Sequence, residues 1–167
     1  MAKIFSKKDM INLQNILRKS KKTITTAESC TGGLVASMIT KISGSSDIFN
    51  GSIVTYSNAI KNQELGVLNQ TLESFGAVSK EVVSEMLDGV LKKFQADFAI
   101  AISGVAGPNG GTKSKPVGSV VIGIASKNKF KKIKIFHLKG SRISIQKQSA
   151  KISLKKILKF VSKTIDN

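Results

Sequence analysis

The sequence predicts an α/β fold in which helices pack against a mostly parallel sheet. Strand-like segments rich in β-branched residues alternate with segments of helical periodicity in three units, as in sheets built from parallel strands. Two more strand-like segments then flank a Lys-Asn-Lys turn, and a long amphipathic segment follows. That hairpin is expected to place one antiparallel strand near an edge of the sheet.

The first half of the chain predicts two helices and two strands, followed by a short helix. Apolar residues recur at helical spacing over 8–21, and basic residues end the segment, as is typical of a helix C-terminus. The β-branched run at 23–27 predicts a buried strand, and 34–42 predicts a helix. A second strand is expected at 51–58, before a short helix that Gly66 ends.

The second half begins with a helix whose start is well marked. Serine is a preferred N-cap residue, and Ser79 stands directly before the predicted helix. Val78 and Val83 have the spacing of a hydrophobic staple. A third strand is expected at 96–103, and it leads directly into a loop rich in glycine and proline.

The hairpin and the last helix complete the predicted fold. Residues 117–126 and 131–138 have strand character and are separated by a short turn. From 144 to 165, apolar residues fall on one helical face. At 167 residues, the chain has the length of a single domain with a full core.

Composition excludes several classes of protein. Hydrophobic residues make up 41% of the chain, which is neither a disordered nor a membrane composition. The N-terminal residues lack the apolar stretch of a secretory signal, so we expect a cytoplasmic protein. Cys30 is the only cysteine and His137 the only histidine, which excludes an internal disulfide and a Cys/His metal cluster. We therefore expect no metal and no cofactor.

The charge is strongly positive. The chain has 27 Lys and Arg residues against 10 Asp and Glu, a formal charge of +17, which favours association with nucleic acid, membrane surfaces or small anions. The lysines are spread along the sequence without interleaved aromatic residues. We therefore interpret most of them as solvated surface groups and expect neither a nucleic-acid nor a membrane partner.

Three loops follow the predicted strands, at 28–33, 56–61 and 103–116. In α/β sheets, ligands bind where such loops meet at the carboxyl ends of the strands. In the first loop, a glycine pair opens a helix whose free amides would favour a phosphate or an oxyanion. Alternatively, Ser29 or Thr31 is simply the N-cap of that helix. Cys30 is more typical of a small buried side chain than of a nucleophile.

The second loop carries Tyr56, Asn58 and Lys61. A lysine in an apolar crevice can lose its proton near neutral pH and act as the general base for a serine hydroxyl. Taken alone, Lys61 could equally be an exposed helix lysine.

The third loop matches neither the phosphate-loop pattern nor the dinucleotide-binding pattern. It can still bring backbone amides near Gly104 and Gly107 to a ligand, or it can be a plain flexible loop. Further along the chain, Arg142 could clamp a phosphate or lie on the surface. His137, within an alternating strand pattern, is interpreted as structural.

Several long motifs together resemble one family. They are AESCTGGLVA, GSIVTYSNAIKNQELGV, FGAVSKEVVSEM, ADFAIAISGVAGPNGGTKSKPVGSVVIGIA and the late GSR. In this order they resemble the CinA C-terminal-domain family, whose members include nicotinamide-mononucleotide deamidases. The resemblance implies a three-layer α/β/α sandwich with a mixed five-stranded sheet. It also implies hydrolysis of nicotinamide mononucleotide to the acid and ammonia, in pyridine-nucleotide salvage.

The resemblance also implies roles for particular residues. Ser29 would be the nucleophile, Lys61 the base and Tyr56 a supporting hydroxyl. Ser103 stands where the family motif usually has threonine, which keeps the hydroxyl and loses a methyl group. We expect substrate contacts from Glu28, Thr31, Gly32, Gly33, Asn58, Ser103, Gly104, Gly107 and Arg142.

Further expectations concern partners and alternatives. The substrate is expected to be a small nucleotide, the family suggests self-association, and the start of the chain at the deamidase half predicts a stand-alone enzyme. One competing hypothesis is a nucleotide- or nucleic-acid-binding module without turnover. A second is a thiol amidase that uses Cys30.

Overall fold

The computed structural model describes residues 4–166 and contains a mixed five-stranded sheet with helices on both faces. In chain order its elements are α1 (Lys7–Lys19), β1 (Ile24–Glu28), α2 (Leu34–Thr40), a 3-10 turn (Ser45–Asp47), β2 (Phe49–Val54), α3 (Asn58–Leu65), α4 (Asn69–Phe75), α5 (Lys80–Phe94), β3 (Phe98–Gly104), β4 (Ser119–Ser126), β5 (Lys131–His137) and α6 (Arg142–Ile165). Within residues 4–166, no helix is long and apolar enough to cross a bilayer.

The strand order is β2-β1-β3-β4-β5. β1 lies in the middle of three parallel strands, while β4 runs antiparallel to both of its neighbours. The prediction of an α/β sheet with an antiparallel strand next to one edge is therefore confirmed. Because β1, β2 and β3 are parallel neighbours, the loops that follow them meet at one edge of the sheet.

The two faces of the sheet carry side chains of different size. α1, α2 and α6 cover a face of bulky residues: Ile24, Phe98, Ile100, Ile102, Val120, Ile122 and Ile124. α3, α4 and α5 cover the opposite face, where the strands contribute mainly small residues: Ala27, Ala99, Ala101, Val121 and Ala125. Small side chains let helices lie close to the strands, so the layer that contains α3 is held tightly against β1.

Sequence reasoning missed one helix and shifted another. α4 was not predicted, since it is only seven residues long, has no side-chain cap and buries only Leu72. α6 begins at Arg142, two residues before the predicted start, because the hydroxyl of Ser141 accepts a hydrogen bond from the amide of Ser144 and caps the helix. Ser79 is the N-cap of α5, as predicted.

A close contact between α3 and α5 holds the end of α3 in place. A Cβ atom added to Gly89 of α5 would lie 2.1 Å from the carbonyl oxygen of Leu65. Only glycine allows the two backbones to approach this closely.

We predict that Gly89→Ala destabilises the protein, although the same change in an open helix would stabilise it by about 0.5–1 kcal/mol. The clash involves backbone atoms that cannot rotate away, and overpacking of this kind costs about 1–3 kcal/mol. Urea denaturation measures the difference. The matched control is Lys92→Ala, at an exposed position of α5, which should change the free energy of unfolding by less than about 0.5 kcal/mol. An unchanged or higher stability for Gly89→Ala would contradict the contact.

Candidate active site

The carboxyl ends of β1, β2 and β3 place three loops side by side, and the N-terminus of α6 lies at the same edge because it follows β5. Ser29 immediately follows β1, and Lys61 lies in the first half of α3, which follows β2. The hydroxyl of Ser57 caps α3 by accepting a hydrogen bond from the amide of Ile60. This cap fixes the start of α3, so Lys61 points back toward the end of β1.

Ser29 and Lys61 meet at this edge. The Nζ atom of Lys61 lies 3.1 Å from the Oγ atom of Ser29 and donates a 2.8 Å hydrogen bond to the carbonyl oxygen of Thr55. Lys61 is only 1% exposed, and Ser29 is 8% exposed. The alternative of an exposed helix lysine is therefore wrong.

Burial changes the acid–base behaviour of this amine. Desolvation lowers the pKa of Lys61 below its ordinary value of 10.5, because the charged ammonium loses its water. In the described part of the chain, none of the ion pairs between a lysine or arginine and a carboxylate involves Lys61. A neutral amine beside a hydroxyl is an arrangement that can take up the hydroxyl proton.

Glu28 caps α2 from the end of β1. Its side chain is fully buried, and its two carboxylate oxygens accept hydrogen bonds from the amides of Val35 and Ala36 at 2.9 and 3.0 Å. The formal N-cap of α2 is Gly33, which makes no side-chain cap bond, so the alternative of Ser29 or Thr31 as N-cap is wrong. Because the carboxylate of Glu28 already accepts from these two helix amides, Glu28 stabilises the turn between β1 and α2 and is not available as a ligand for a substrate.

The turn between β1 and α2 nevertheless keeps donors available. The amide of Gly32 is used within the turn, since it donates to the carbonyl oxygen of Ser29. Within residues 4–166, the amides of Thr31 and Gly33 have no hydrogen-bond acceptor, and the buried hydroxyl of Thr31 has no partner. A negatively charged oxygen beside Ser29 could be bound by these groups.

Cys30 lies next to Ser29 but has the properties of a structural thiol. Burial raises the pKa of Cys30 to about 12, and the charge of Glu28 adds to this effect. The thiolate is the reactive form of cysteine. The structure therefore disfavours the alternative of a thiol nucleophile.

α6 ties the three loops together. The guanidinium of Arg142 donates to the carbonyl oxygen of Gly107 at 2.8 Å and to the hydroxyl of Tyr56. One turn later, Gln146 donates to the carbonyl oxygen of Cys30 at 2.9 Å. Sequence reasoning missed Gln146, although its spacing of four residues from Arg142 on a predicted helix could have indicated it.

Tyr56 and Asn58 lie at the surface. Tyr56 is 58% exposed, and its hydroxyl accepts a hydrogen bond from the guanidinium of Arg142, whereas within residues 4–166 no hydrogen bond joins Tyr56 to Ser29 or Lys61. Asn58 is the exposed first residue of α3. Both side chains are therefore exposed, whereas those of Ser29 and Lys61 are buried.

The remaining predicted ligands have other neighbours. The hydroxyl of Ser103 is buried and donates to the carbonyl oxygen of Ala77 at 2.7 Å, so it holds the segment before α5 rather than facing a ligand. At Gly104, an added Cβ would lie 2.9 Å from the carbonyl oxygen of Ser119, which leaves no room for a side chain. Gly107 has a φ angle of +82°, and there too an added Cβ would clash.

A cleft of about 400 Å³, a volume typical of small-molecule sites, opens between the turn that follows β1, α2 and the start of α6, and neither Ser29 nor Lys61 lines it. It is lined by Thr31, Gly32, Gly33, Leu34, Ser37, Ile143, Gln146 and Lys147.

His137 is exposed at the end of β5. In residues 4–166, no three His, Cys, Asp or Glu side chains come together in the way a metal ion requires.

The chain is similar to known proteins over most of its length. Residues 7–161 match the family model described as the CinA C-terminal domain. A "CinA-like protein" of Endomicrobium trichonymphae is 52% identical over 139 residues, which cover 83% of this chain and 32% of the relative. A second one, from Thermotoga neapolitana, is 42% identical over 146 residues, covering 87% and 35%. The chain thus spans about a third of the length of these curated relatives.

Solved structures share the fold. The CinA superfamily protein from Klebsiella pneumoniae 700603 has a TM-score of 0.88 at 29% identity, with 93% of this chain and 96% of that one covered. The competence/damage inducible protein CihA from Agrobacterium tumefaciens has a TM-score of 0.87 at 32% identity, with 99% of both chains covered.

We predict that the pKa of Lys61 is visible in the stability of the protein. A lowered pKa in the folded state means that the unfolded chain binds more protons between that pKa and 10.5. In this window, the free energy of unfolding therefore rises with pH, by up to about 1.4 kcal/mol per pH unit. Urea denaturation at several pH values, in the wild type and in Lys61→Met, measures this contribution as their difference.

The control is Lys80→Met, at an exposed position, and its difference from the wild type should rise less with pH than that of Lys61→Met. A difference for Lys61→Met that rises no more than that of the control across the alkaline range would show that Lys61 titrates like a surface lysine.

Proposed function

This chain belongs to the CinA C-terminal domain family, and from this membership and the geometry of its site we propose that it is an amidohydrolase acting on nicotinamide mononucleotide. The products would be nicotinate mononucleotide and ammonia, a step of pyridine-nucleotide salvage. The observation that carries the proposal is the buried contact of 3.1 Å between the amine of Lys61 and the hydroxyl of Ser29. This contact lies at the sheet edge where α/β proteins bind their ligands.

In the first step, Lys61 is the base and Ser29 the nucleophile. The neutral amine takes the hydroxyl proton as Oγ attacks the carboxamide carbon, and the carbonyl π electrons move onto its oxygen. The amides of Thr31 and Gly33 would bind this oxyanion, and donors of this kind contribute on the order of 3 kcal/mol each.

In the second step, the tetrahedral intermediate collapses and the C–N bond breaks. The ammonium of Lys61 returns its proton to the leaving nitrogen, so ammonia departs and an ester of Ser29 remains. Lys61 is then neutral again and can activate a water molecule, whose attack releases the acid and restores the hydroxyl.

Arg142 would bind the phosphate of the nucleotide. Its guanidinium is exposed at the mouth of the site, and contacts with Gly107 and Tyr56 hold it there. A fork of parallel N–H groups suits a phosphate. The hydrogen bond from Arg142 to Tyr56 favours a role for Tyr56 in orienting this guanidinium over the role of a supporting hydroxyl that the family resemblance implies.

We predict that Ser29→Ala and Lys61→Met each lower ammonia release from nicotinamide mononucleotide by at least about 10³-fold, because each removes one member of the reacting pair. Cys30→Ala is the control and should keep most of the activity. Ammonia measured with purified protein decides the outcome, and circular dichroism verifies that each variant is folded.

Full turnover by Ser29→Ala or Lys61→Met would reject the pair, and loss of activity in Cys30→Ala alone would favour the thiol. If the wild type binds the nucleotide and releases no ammonia, the chain is a binding module and the proposed activity is wrong.

We predict that Arg142→Ala raises KM by about 10- to 100-fold and changes kcat much less, since a charge-assisted contact to a distant phosphate contributes about 1.5–3 kcal/mol of binding. The matched control is Arg18→Ala, which removes the chain's other arginine, on α1, where it pairs with Asp47. Steady-state kinetics of both variants provide the comparison. An unchanged KM for Arg142→Ala would remove this residue from phosphate binding.

A further inference from the structure

The structure concentrates lysines in a groove far from the candidate active site. The groove lies between α6 and the edge strand β5, has a volume of about 330 Å³ and an apolar floor of Ile122, Ile124 and Phe160. We call it the lysine groove, and its basic residues are Lys132, Lys134, Lys156, Lys159 and Lys163. Along α6, Lys156 is about 21 Å from Arg142 at 1.5 Å per residue.

Four lysines of the groove have no carboxylate partner in the part of the chain that the structure describes. α6 carries six lysines and one arginine, β5 carries three lysines, and neither element contains an Asp or a Glu. In the described chain, none of the ion pairs with Asp or Glu involves Lys132, Lys134, Lys156 or Lys159. Burial, reinforced by the neighbouring lysines, lowers the pKa of Lys156. Like charges held together are unfavourable unless an anion lies between them.

An exposed aromatic ring borders the groove. Phe130 is 57% exposed, and its ring stacks on that of Phe160 with a centroid distance of 5.7 Å and an interplanar angle of 18°. The amine of Lys132 lies 5.7 Å from the centroid of Phe130. One face of Phe130 is thus supported by Phe160, and much of the ring remains open to solvent beside a row of cations.

We propose that the lysine groove binds single-stranded nucleic acid. Phosphates of the strand contact the lysines, and an unpaired base stacks on Phe130, which is the combination of cations and aromatic rings that sequence-tolerant single-strand sites use. An acidic protein segment would form ion pairs with the lysines, but its carboxylates would not stack on the ring of Phe130. A duplex keeps its bases stacked internally and cannot offer one to the ring.

Protection of the sheet edge does not account for the whole feature. Lysines on an edge strand discourage pairing with other chains, which explains Lys132 and Lys134 on β5. The lysines of α6 and the exposed ring of Phe130 contribute nothing to that purpose. The sequence showed no such cluster, because β5 and the end of α6 are distant along the chain and become neighbours only in the fold.

The first test measures the salt dependence of binding. Fluorescence anisotropy of a labelled oligothymidylate of about 15 nucleotides reports binding between about 50 and 200 mM salt. The slope of log K against log salt is negative, and each single-strand phosphate contact contributes about 0.7 to its magnitude. In the double variant Lys132→Gln/Lys156→Gln, this magnitude should therefore fall by about 1.4. The control Lys41→Gln/Lys80→Gln removes the same charge from exposed lysines elsewhere and should leave the slope unchanged.

The second test separates stacking from charge. Phe130→Ala should weaken binding of the single strand about tenfold, as expected for loss of one stacked base, and leave the salt slope unchanged. Thermal unfolding confirms that the variants are folded, and none of the changed residues belongs to the proposed amidase site.

Several results would overturn the proposal. They are the absence of binding by the wild type at the lowest salt, an equal loss of slope in the control variant, and unchanged affinity in Phe130→Ala. Equal competition by poly-glutamate, or equally tight binding of a duplex of the same length, would also overturn it, because either would show attraction by charge alone. These readouts do not depend on ammonia release, so the proposed amidase activity can fail without affecting them.

Discussion

The proposed chemistry depends on one buried amine that contacts a hydroxyl. Lys61 is almost inaccessible to solvent, and within the described chain it has no carboxylate partner. A charged ammonium in such a place is unfavourable, whereas a neutral amine is satisfied by the carbonyl oxygen of Thr55 and the hydroxyl of Ser29. The same burial that destabilises the charged form therefore favours the neutral amine that the proposed mechanism uses as its base.

The architecture of the sheet keeps this pair in place. Near the end of β1, the side chain of Glu28 reaches the start of α2, while the next residue, Ser29, reaches α3 on the other side of the sheet. One short stretch of backbone thus supports a helix and presents the hydroxyl that we propose as the nucleophile. Arg142 and Gln146 of α6 connect the loops around it. Each of the three loops is thus bonded to α6, an element beyond its own strand.

Much of this arrangement follows from sequence patterns, and the remainder depends on distant contacts. Strand-then-helix alternation predicts the sheet and the meeting of the loops that follow its parallel strands, whereas the pairing of Ser29 with Lys61 was expected only from the family resemblance. The cap by Glu28 left no local signal, because the amides that it accepts from lie seven and eight residues away. The spacing of Gln146 from Arg142 could indicate a shared helix face, but the bond from Gln146 to Cys30 spans 116 residues and depends on the fold. For the same reason, the lysines of α6 and β5 looked evenly spread until the fold brought them together.

The central claim is that Lys61 activates Ser29, and the reactivity of Ser29 toward a fluorophosphonate tests it most directly. Mass spectrometry of the labelled peptide reports this reactivity without any assumption about the natural substrate. The account predicts modification of Ser29 in the wild type near neutral pH, at a rate that falls as Lys61 becomes protonated, and none in Lys61→Met. Labelling of Ser29 at the same rate in Lys61→Met, or no labelling in the wild type, would contradict it.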